Sequence, residues 1–184
     1  MNTSLGSIYT DRADMESYTF FLYSFVRGYK PDSILEIGIS RGVSTTTFFN
    51  AVEEGKLENC IYHGIDIDEN CKNIFDSYKN SRFGIRLLHT DISDNVAKDW
   101  NLPIDLLMIN GSEYGQVYKD FYNFGSWVKP GGFVFIKGTY KGSKFPSKLD
   151  TVYRIVEDLD NLFGEEYRHI TLPYSFGLTV CEKK

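Results

Sequence analysis

Long apolar runs are missing from this chain. No segment approaches the roughly 20 residues that a helix needs to cross a bilayer, so no membrane partner is expected. Cysteine is scarce: Cys60, Cys71 and Cys181 are odd in number and lack metal-ligand spacing. That argues against a disulfide scaffold and for a reducing, cytoplasmic setting. The opening residues MNTSLGSIYTDRADM have no basic-then-apolar export pattern. A basic excess is absent too. The chain carries 25 acidic and 20 basic residues, a net charge of −5, the opposite of the usual nucleic-acid binder. Histidine is limited to His63, His89 and His169. They fall in separate strand-like segments, so all three are read as structural. No internal repeat or low-complexity tract occurs.

What remains is enough for one domain. The 184 residues, 42% of them apolar, can bury a single sizeable core. Strand-like and helix-like segments alternate. Met15 to Gly28 reads as a helix ended by Pro31, Ile34 to Ile37 as a strand, and Val43 to Glu54 as a helix stopped by Gly55. Strands follow at Cys60 to Ile67, Ile85 to His89, Ile104 to Ile109 and Phe133 to Ile136. Helices lie between them at Asn70 to Lys79, Asn95 to Trp100 and Tyr114 to Val128, the last closed by Pro130-Gly131-Gly132. An amphipathic helix, Leu149 to Phe163, precedes EYRHITLP and FGLTVCEK, which read as a hairpin. This order predicts an α/β fold: a Rossmann-like, doubly wound, seven-stranded sheet, mostly parallel, with an antiparallel C-terminal hairpin strand. In such sheets ligands sit beyond the carboxyl ends of the strands.

The stretch SILEIGISRGVSTTTFF, from Ser33 to Phe49, carries the first chemistry. Glu36 lies in an apolar strand just before a glycine loop, where a carboxylate is costly unless paired. A ligand ammonium or a loop amide is its expected partner. Gly38 lets a ligand approach the backbone, and the helix opening near Val43 offers unpaired amides to an anion. The spacing Gly38-Ile-Ser-Arg-Gly42 is not the G-x-G-x-x-G of nicotinamide enzymes.

The pattern E-x-G-x-x-x-G resembles instead the first motif of class I S-adenosylmethionine-dependent methyltransferases. Further segments continue the likeness: YHGIDID, LLHTDISD, IDLLMINGSEYGQVYKDF, WVKPGGFVFIKG and LPYSFGLTV. They span Pro31 to Lys184 in the family's order. Within the class the chain looks like small-molecule O-methyltransferases and the related cephalosporin-hydroxylase-like group. The resemblance implies S-adenosylmethionine as cofactor, held by Glu36, Gly38, Ser40, Arg41, Gly42, Ser44 and Asn110. It also implies Asp66 on the ribose hydroxyls, with Asp68 as second choice, and Asp91 on the adenine amine. Plainer readings stand beside these. Asp66 and Asp91 are also credible helix caps, Arg41 a solvent-facing residue, and Ser44 with Thr45 acceptors for helix N-terminal amides. Residues 1–30 are then a segment and helix that cover the site or form a dimer contact, with Tyr9, Arg12 and Met15 as candidates. Residues 31–184 form the methyltransferase domain.

The departures concern the acceptor end. Asn110 stands where the relatives place Asp, Glu113 stands near their usual His, and Lys137-Gly138 replaces His-Asp or Glu-Asp. Two carboxylates that would seat a divalent cation are missing, so no metal ligand is assigned. Lys137 is the candidate for the positive charge that favours a developing oxyanion, and Glu113 for the group that takes the proton. The plainer pair is a surface lysine and a helix-capping glutamate. Lys137, Lys141, Lys144 and Lys148, with Tyr140 and Phe145 between them, make a loop suited to an anionic acceptor, or simply a solvated one. The expected reaction is methylation of a hydroxyl, less readily an amine, on a small polar metabolite such as a sugar. The alternative is a catalytically silent domain that binds the cofactor or its demethylated product and acts as partner or sensor. A nucleic-acid methyltransferase is disfavoured by the acidic balance and the lack of an N/D-P-P-Y/F motif.

Overall fold

Strand β1 (Ser33–Ile37) has almost no exposed face: Ile34, Leu35, Glu36 and Ile37 are all buried. A run without alternation marks a central parallel strand covered on both sides. Strand β4 (Ile104–Ile109), buried throughout, is its neighbour. The computed structural model describes residues 13–140 and 152–184. Within them β2 (Ile61–Ile65), β3 (Ile85–His89), β5 (Val128–Lys137), β6 (Tyr167–Leu172) and β7 (Leu178–Lys183) complete a seven-stranded sheet. Its order is β3-β2-β1-β4-β5-β7-β6. β7 is antiparallel to both of its neighbours, β5 and β6. The chain winds outward from β1 to β3 and then crosses back to β4. The switch point between β1 and β4 is where a crevice is expected.

Helices α1 (Ala13–Glu16), α2 (Thr19–Tyr29), α3 (Val43–Gly55), α4 (Lys72–Ser77), α5 (Ser93–Asp99), α6 (Tyr114–Gly125) and α7 (Arg154–Leu162) cover the two faces. On one face Leu35, Ile37, Leu107 and Ile109 pack with Val117, Phe121 and Phe124 of α6 and with Ile155 and Leu159 of α7. On the other, Ile34, Leu106 and Met108 meet Leu22 and Val26 of α2 and Phe48, Phe49 and Val52 of α3. None of the helices among the described residues is long and apolar enough to cross a membrane.

Several boundaries differ from those the sequence suggests. The first helix is broken at Ser17–Tyr18, because the Tyr18 ring is buried and its hydroxyl donates to the carbonyls of Leu172 (3.2 Å) and Tyr174 at the hairpin turn. The helix near residue 70 starts as a 3-10 turn, Glu69–Cys71, capped by the Asp68 carboxylate, and α4 ends at Ser77. Helix α6 stops at Gly125, and Pro130-Gly131-Gly132 lies inside β5 rather than before it. The register with β4 slips there, from Ile104↔Val128 to Leu106↔Phe133. Proline supplies no ladder donor and Gly131 has φ 75°, so the insert bulges out of the sheet.

Two buried acids fasten the frame. At the amino ends of the strands, Asp105 Oδ2 accepts from the amides of Asp32 and Ser33, each at 2.9 Å, and Oδ1 pairs with Lys129 at 2.7 Å. At the other end Glu36, with no exposed surface, accepts from the hydroxyls of Ser44, Thr45 (2.9 Å) and Tyr62. Ser44 and Thr45 therefore spend their hydroxyls on the carboxylate, not on helix amides, and no side chain caps α3. Burial lifts the Glu36 carboxyl to about 7, with the three hydroxyl bonds pulling the other way.

Asp105→Ala should destabilise the fold by about 3 kcal/mol, since it strands two amides and a lysine. Asp105→Asn should cost less, and urea denaturation compares them. Glu36 has a distinct signature. Its carboxyl titrates near 4.5 when unfolded and near 7 when folded, so the native state holds an extra proton between those values. Stability from this group is present at low pH and is lost as pH rises through 7. Between pH 5 and pH 8 the wild type should lose about 2–3 kcal/mol relative to Glu36→Gln, read as the difference in urea midpoints.

Candidate functional site

Strands β1, β2 and β4 end level, with Ile37 beside both Ile65 and Ile109. The glycine loop begins just beyond. Gly38 has φ 85°, and a Cβ there would lie 3.2 Å from the Asn110 carbonyl oxygen. Gly42 has φ 74°, and its Cβ would strike Ile74 at 2.3 Å. Neither position tolerates a side chain without a shift. The Gly38 amide donates to the Ile65 carbonyl at 2.9 Å. The amides of Ile39 and Ser40 both donate to Asp66 Oδ2 at 2.8 Å, and Asp68 donates to Oδ1 at 2.9 Å. Asp66 thus grips the loop that follows β1 from the end of β2.

Above these ends lies a cavity of about 350 Å³. Gly38, Asp66, Asp91, Ser112, Glu113 and Asp120 are among its walls. Four of the residues singled out from sequence, Gly38, Asp66, Asp91 and Glu113, converge there, each from a different loop. Asp91 Oδ1 accepts from Asn95 at 3.0 Å and from the Ile92 amide at 2.7 Å, and these bonds hold its carboxyl below the usual range. Glu113 occupies the cap position of α6, but its side chain makes no cap bond to the helix. Asn110 donates through Nδ2 to the Gly38 carbonyl at 3.0 Å, while its buried Oδ1 has no hydrogen-bond partner among the described residues. Lys137 ends β5 opposite Leu178. The β4–β5 pairing closes at Ile109↔Ile136, so Asn110 and Lys137 leave adjacent strands side by side.

Other expected residues lie elsewhere. Glu36 has neither a loop amide nor the cavity as its neighbour; the hydroxyls described above replace the ligand as its partner, because its side chain faces α3. Ser44 is buried with it. Ser40 and Arg41 are exposed on the loop and are not among the cavity walls. Met15 is buried beneath α2 and α3 rather than open to a ligand. Tyr9, Arg12, Lys141, Lys144, Phe145 and Lys148 lie outside the described residues. His63 and His89 are not scattered: their rings stack, with Nδ1 of the first 3.0 Å from Nε2 of the second. Adjacent parallel strands bring them together, which strand spacing in sequence does not reveal. Among the described residues no three His, Cys, Asp or Glu side chains gather as a metal-holding group.

The sequence reading missed Ser93, Gln116 and Asp120, all on the cavity wall. Asp120 is 1% exposed and accepts at Oδ1 from Ser93 (2.5 Å) and Gln116 (2.9 Å). Burial pushes its carboxyl up, against the pull of those two bonds. A signal was present. Val117, Phe121 and Phe124 form the apolar stripe of α6, and Asp120 sits within it, three residues after Val117.

No curated protein matches the chain by sequence. Among solved structures it resembles the O-methyltransferase from Bacillus cereus in complex with S-adenosylhomocysteine, with TM-score 0.71 and 15% identity over 97% of this chain and 86% of that one. A Podospora anserina methyltransferase bound to S-adenosylhomocysteine gives TM-score 0.68 at 16% identity, covering 90% and 77%. The Streptomyces achromogenes O-methyltransferase involved in tomaymycin synthesis, in complex with S-adenosylmethionine, gives 0.67 at 14%, covering 91% and 80%. These likenesses are of fold. The profile of a methyltransferase domain family matches residues 35–137, more than half of the chain. That segment runs from β1 to the end of β5 and holds the glycine loop, Asp66, Asp91, Asn110, Glu113 and Lys137, and by it the chain belongs to the methyltransferase domain family.

Proposed function

We propose that this protein transfers the methyl group of S-adenosylmethionine to a hydroxyl oxygen of a small polar acceptor, such as a sugar or a hydroxylated intermediate. The observation that carries the reading is the cavity at the β1–β4 switch point, walled by a glycine loop and by Asp66, Asp91 and Glu113. The residues suit the cofactor. Asp66 offers acceptors where ribose hydroxyls would lie, and Asp91 borders the purine end. Gly38 leaves open backbone, and the unpaired Asn110 Oδ1 is an acceptor for an ammonium group. The solved O-methyltransferases of the same fold support oxygen as the acceptor atom.

When bound, S-adenosylmethionine supplies a methyl group activated on a sulfonium. The chain's part is to hold the acceptor in line and to manage one proton. Glu113, on the cavity wall, takes the acceptor proton, and Lys137 favours the negative charge growing on oxygen. The donor set Asn110, Glu113 and Lys137 pairs one carboxylate with a cation, a poor seat for magnesium. Lys137 also favours an acceptor that carries its own anionic group.

Calorimetric titration with S-adenosylhomocysteine should show micromolar binding by the wild type, weakened at least about tenfold in Asp66→Asn. Magnesium should leave it unchanged. Label transfer from methyl-labelled S-adenosylmethionine into pooled hydroxylated metabolites should fall by about 10²-fold in Glu113→Gln with product binding intact. Binding without transfer into any pool would favour a silent, cofactor-sensing domain.

A further inference from the structure

We infer that Asp120, not Asp91, reads the exocyclic amine of the cofactor's purine and makes the site specific for adenine. The inference rests on the cofactor reading above and assigns a role within the same cavity. Two exposed apolar side chains stand on its wall, Ile67 at 71% and Ile92 at 50%. Exposed isoleucines in that position are suited to cover the faces of a flat ring. The ring's edge is then left to polar wall groups that bond one another, Ser93, Gln116 and Asp120.

Those three groups form a directed network. Gln116 Nε2 donates to Ser93 Oγ at 3.0 Å and to Asp120 Oδ1 at 2.9 Å, and Ser93 Oγ donates to the same Oδ1 at 2.5 Å. Both donors thus meet one carboxylate oxygen. Asp120 Oδ2 receives no hydrogen bond from the described residues, yet it is not among the sealed, partnerless polar atoms. A pre-oriented acceptor on a cavity wall fits an N–H donor.

Asp91 is less able to discriminate. It is exposed, and its Oδ1 already holds Ile92 and Asn95. Water competes at an exposed carboxylate, so a wrong base loses little there. A desolvated acceptor penalises a ligand that brings another acceptor, because neither group can then be paired. A 6-oxo purine brings that mismatch to Asp120.

The test compares S-adenosylhomocysteine with S-inosylhomocysteine, which carries oxygen in place of the amine, by calorimetric titration of the whole chain. The wild type should prefer the adenosyl compound by at least about tenfold. In Asp120→Asn the carboxamide can donate to the oxo group, and the preference should collapse to about twofold or reverse. Asp91→Asn should leave the ratio as in the wild type. Gln116→Met, at an exposed position, removes one orienting donor and should reduce the ratio several-fold, which keeps the test open if Asp120→Asn folds poorly. An unchanged ratio in Gln116→Met and in any folded Asp120→Asn, or a collapse in Asp91→Asn instead, overturns the assignment while leaving the cofactor reading intact. Failure of the wild type to bind either compound overturns the cofactor reading and this assignment with it.

Discussion

The buried carboxyl of Glu36 is the constraint on which the cofactor half depends. It sits on the central strand, faces α3, and takes hydroxyls from two neighbouring elements, Ser44 and Thr45 on α3 and Tyr62 on β2. No apolar residue could make that three-way join. It fixes where α3 begins relative to β1, and so the span that the glycine loop must cover. The loop then closes over a short distance with left-handed backbone at Gly38, Ser40 and Gly42. Asp66 completes the arrangement by accepting the loop's own amides. A carboxylate within the sheet places the loop, and a carboxylate at its rim holds the loop's shape.

The two ends of the sheet use acids differently. Asp105 at the amino ends is enclosed by its own chain, with two amides and a lysine as partners. At the carboxyl ends Asp66, Asp91, Glu113 and Asp120 share the wall of one cavity. The first arrangement is closed and holds strands together. The second sets four carboxyl groups around an open space, and the proposed cofactor site rests on that contrast.

Much of this was legible in the sequence. Unbroken apolar runs at Ile34 to Ile37 and Ile104 to Ile109 identified the central strands, and the glycine spacing identified the loop after β1. Glu36 was legible as an anomaly, but its partner was not. Its hydroxyl donors come from a helix face and a neighbouring strand, and sequence order does not state which faces meet. Asp120 was hidden for a similar reason. One acid in an amphipathic stripe has the look of a helix edge until Ser93, 27 residues earlier, is seen to lie against it. Proline and glycine in Pro130-Gly131-Gly132 suggested a turn between elements, whereas the sheet absorbs them as a bulge. Local residue preferences cannot tell these apart, because both require the same backbone angles.

The link from Tyr18 to the hairpin turn bears on how the molecule is assembled in time. The Tyr18 hydroxyl meets the Leu172 carbonyl across 154 residues of chain. The contacts that build the cofactor half, from Glu36 to Ser44, Thr45, Tyr62 and from Asp66 to the loop, join residues 8 to 27 apart. Short loops close at lower entropic cost than long ones, so the Tyr18 latch carries the larger closure cost. On closure entropy alone, the Tyr18 latch is expected to be among the last contacts to form. A nascent chain that has not yet made its last two strands already contains Asp66, Asp91 and Asp120, the residues proposed to meet the nucleotide.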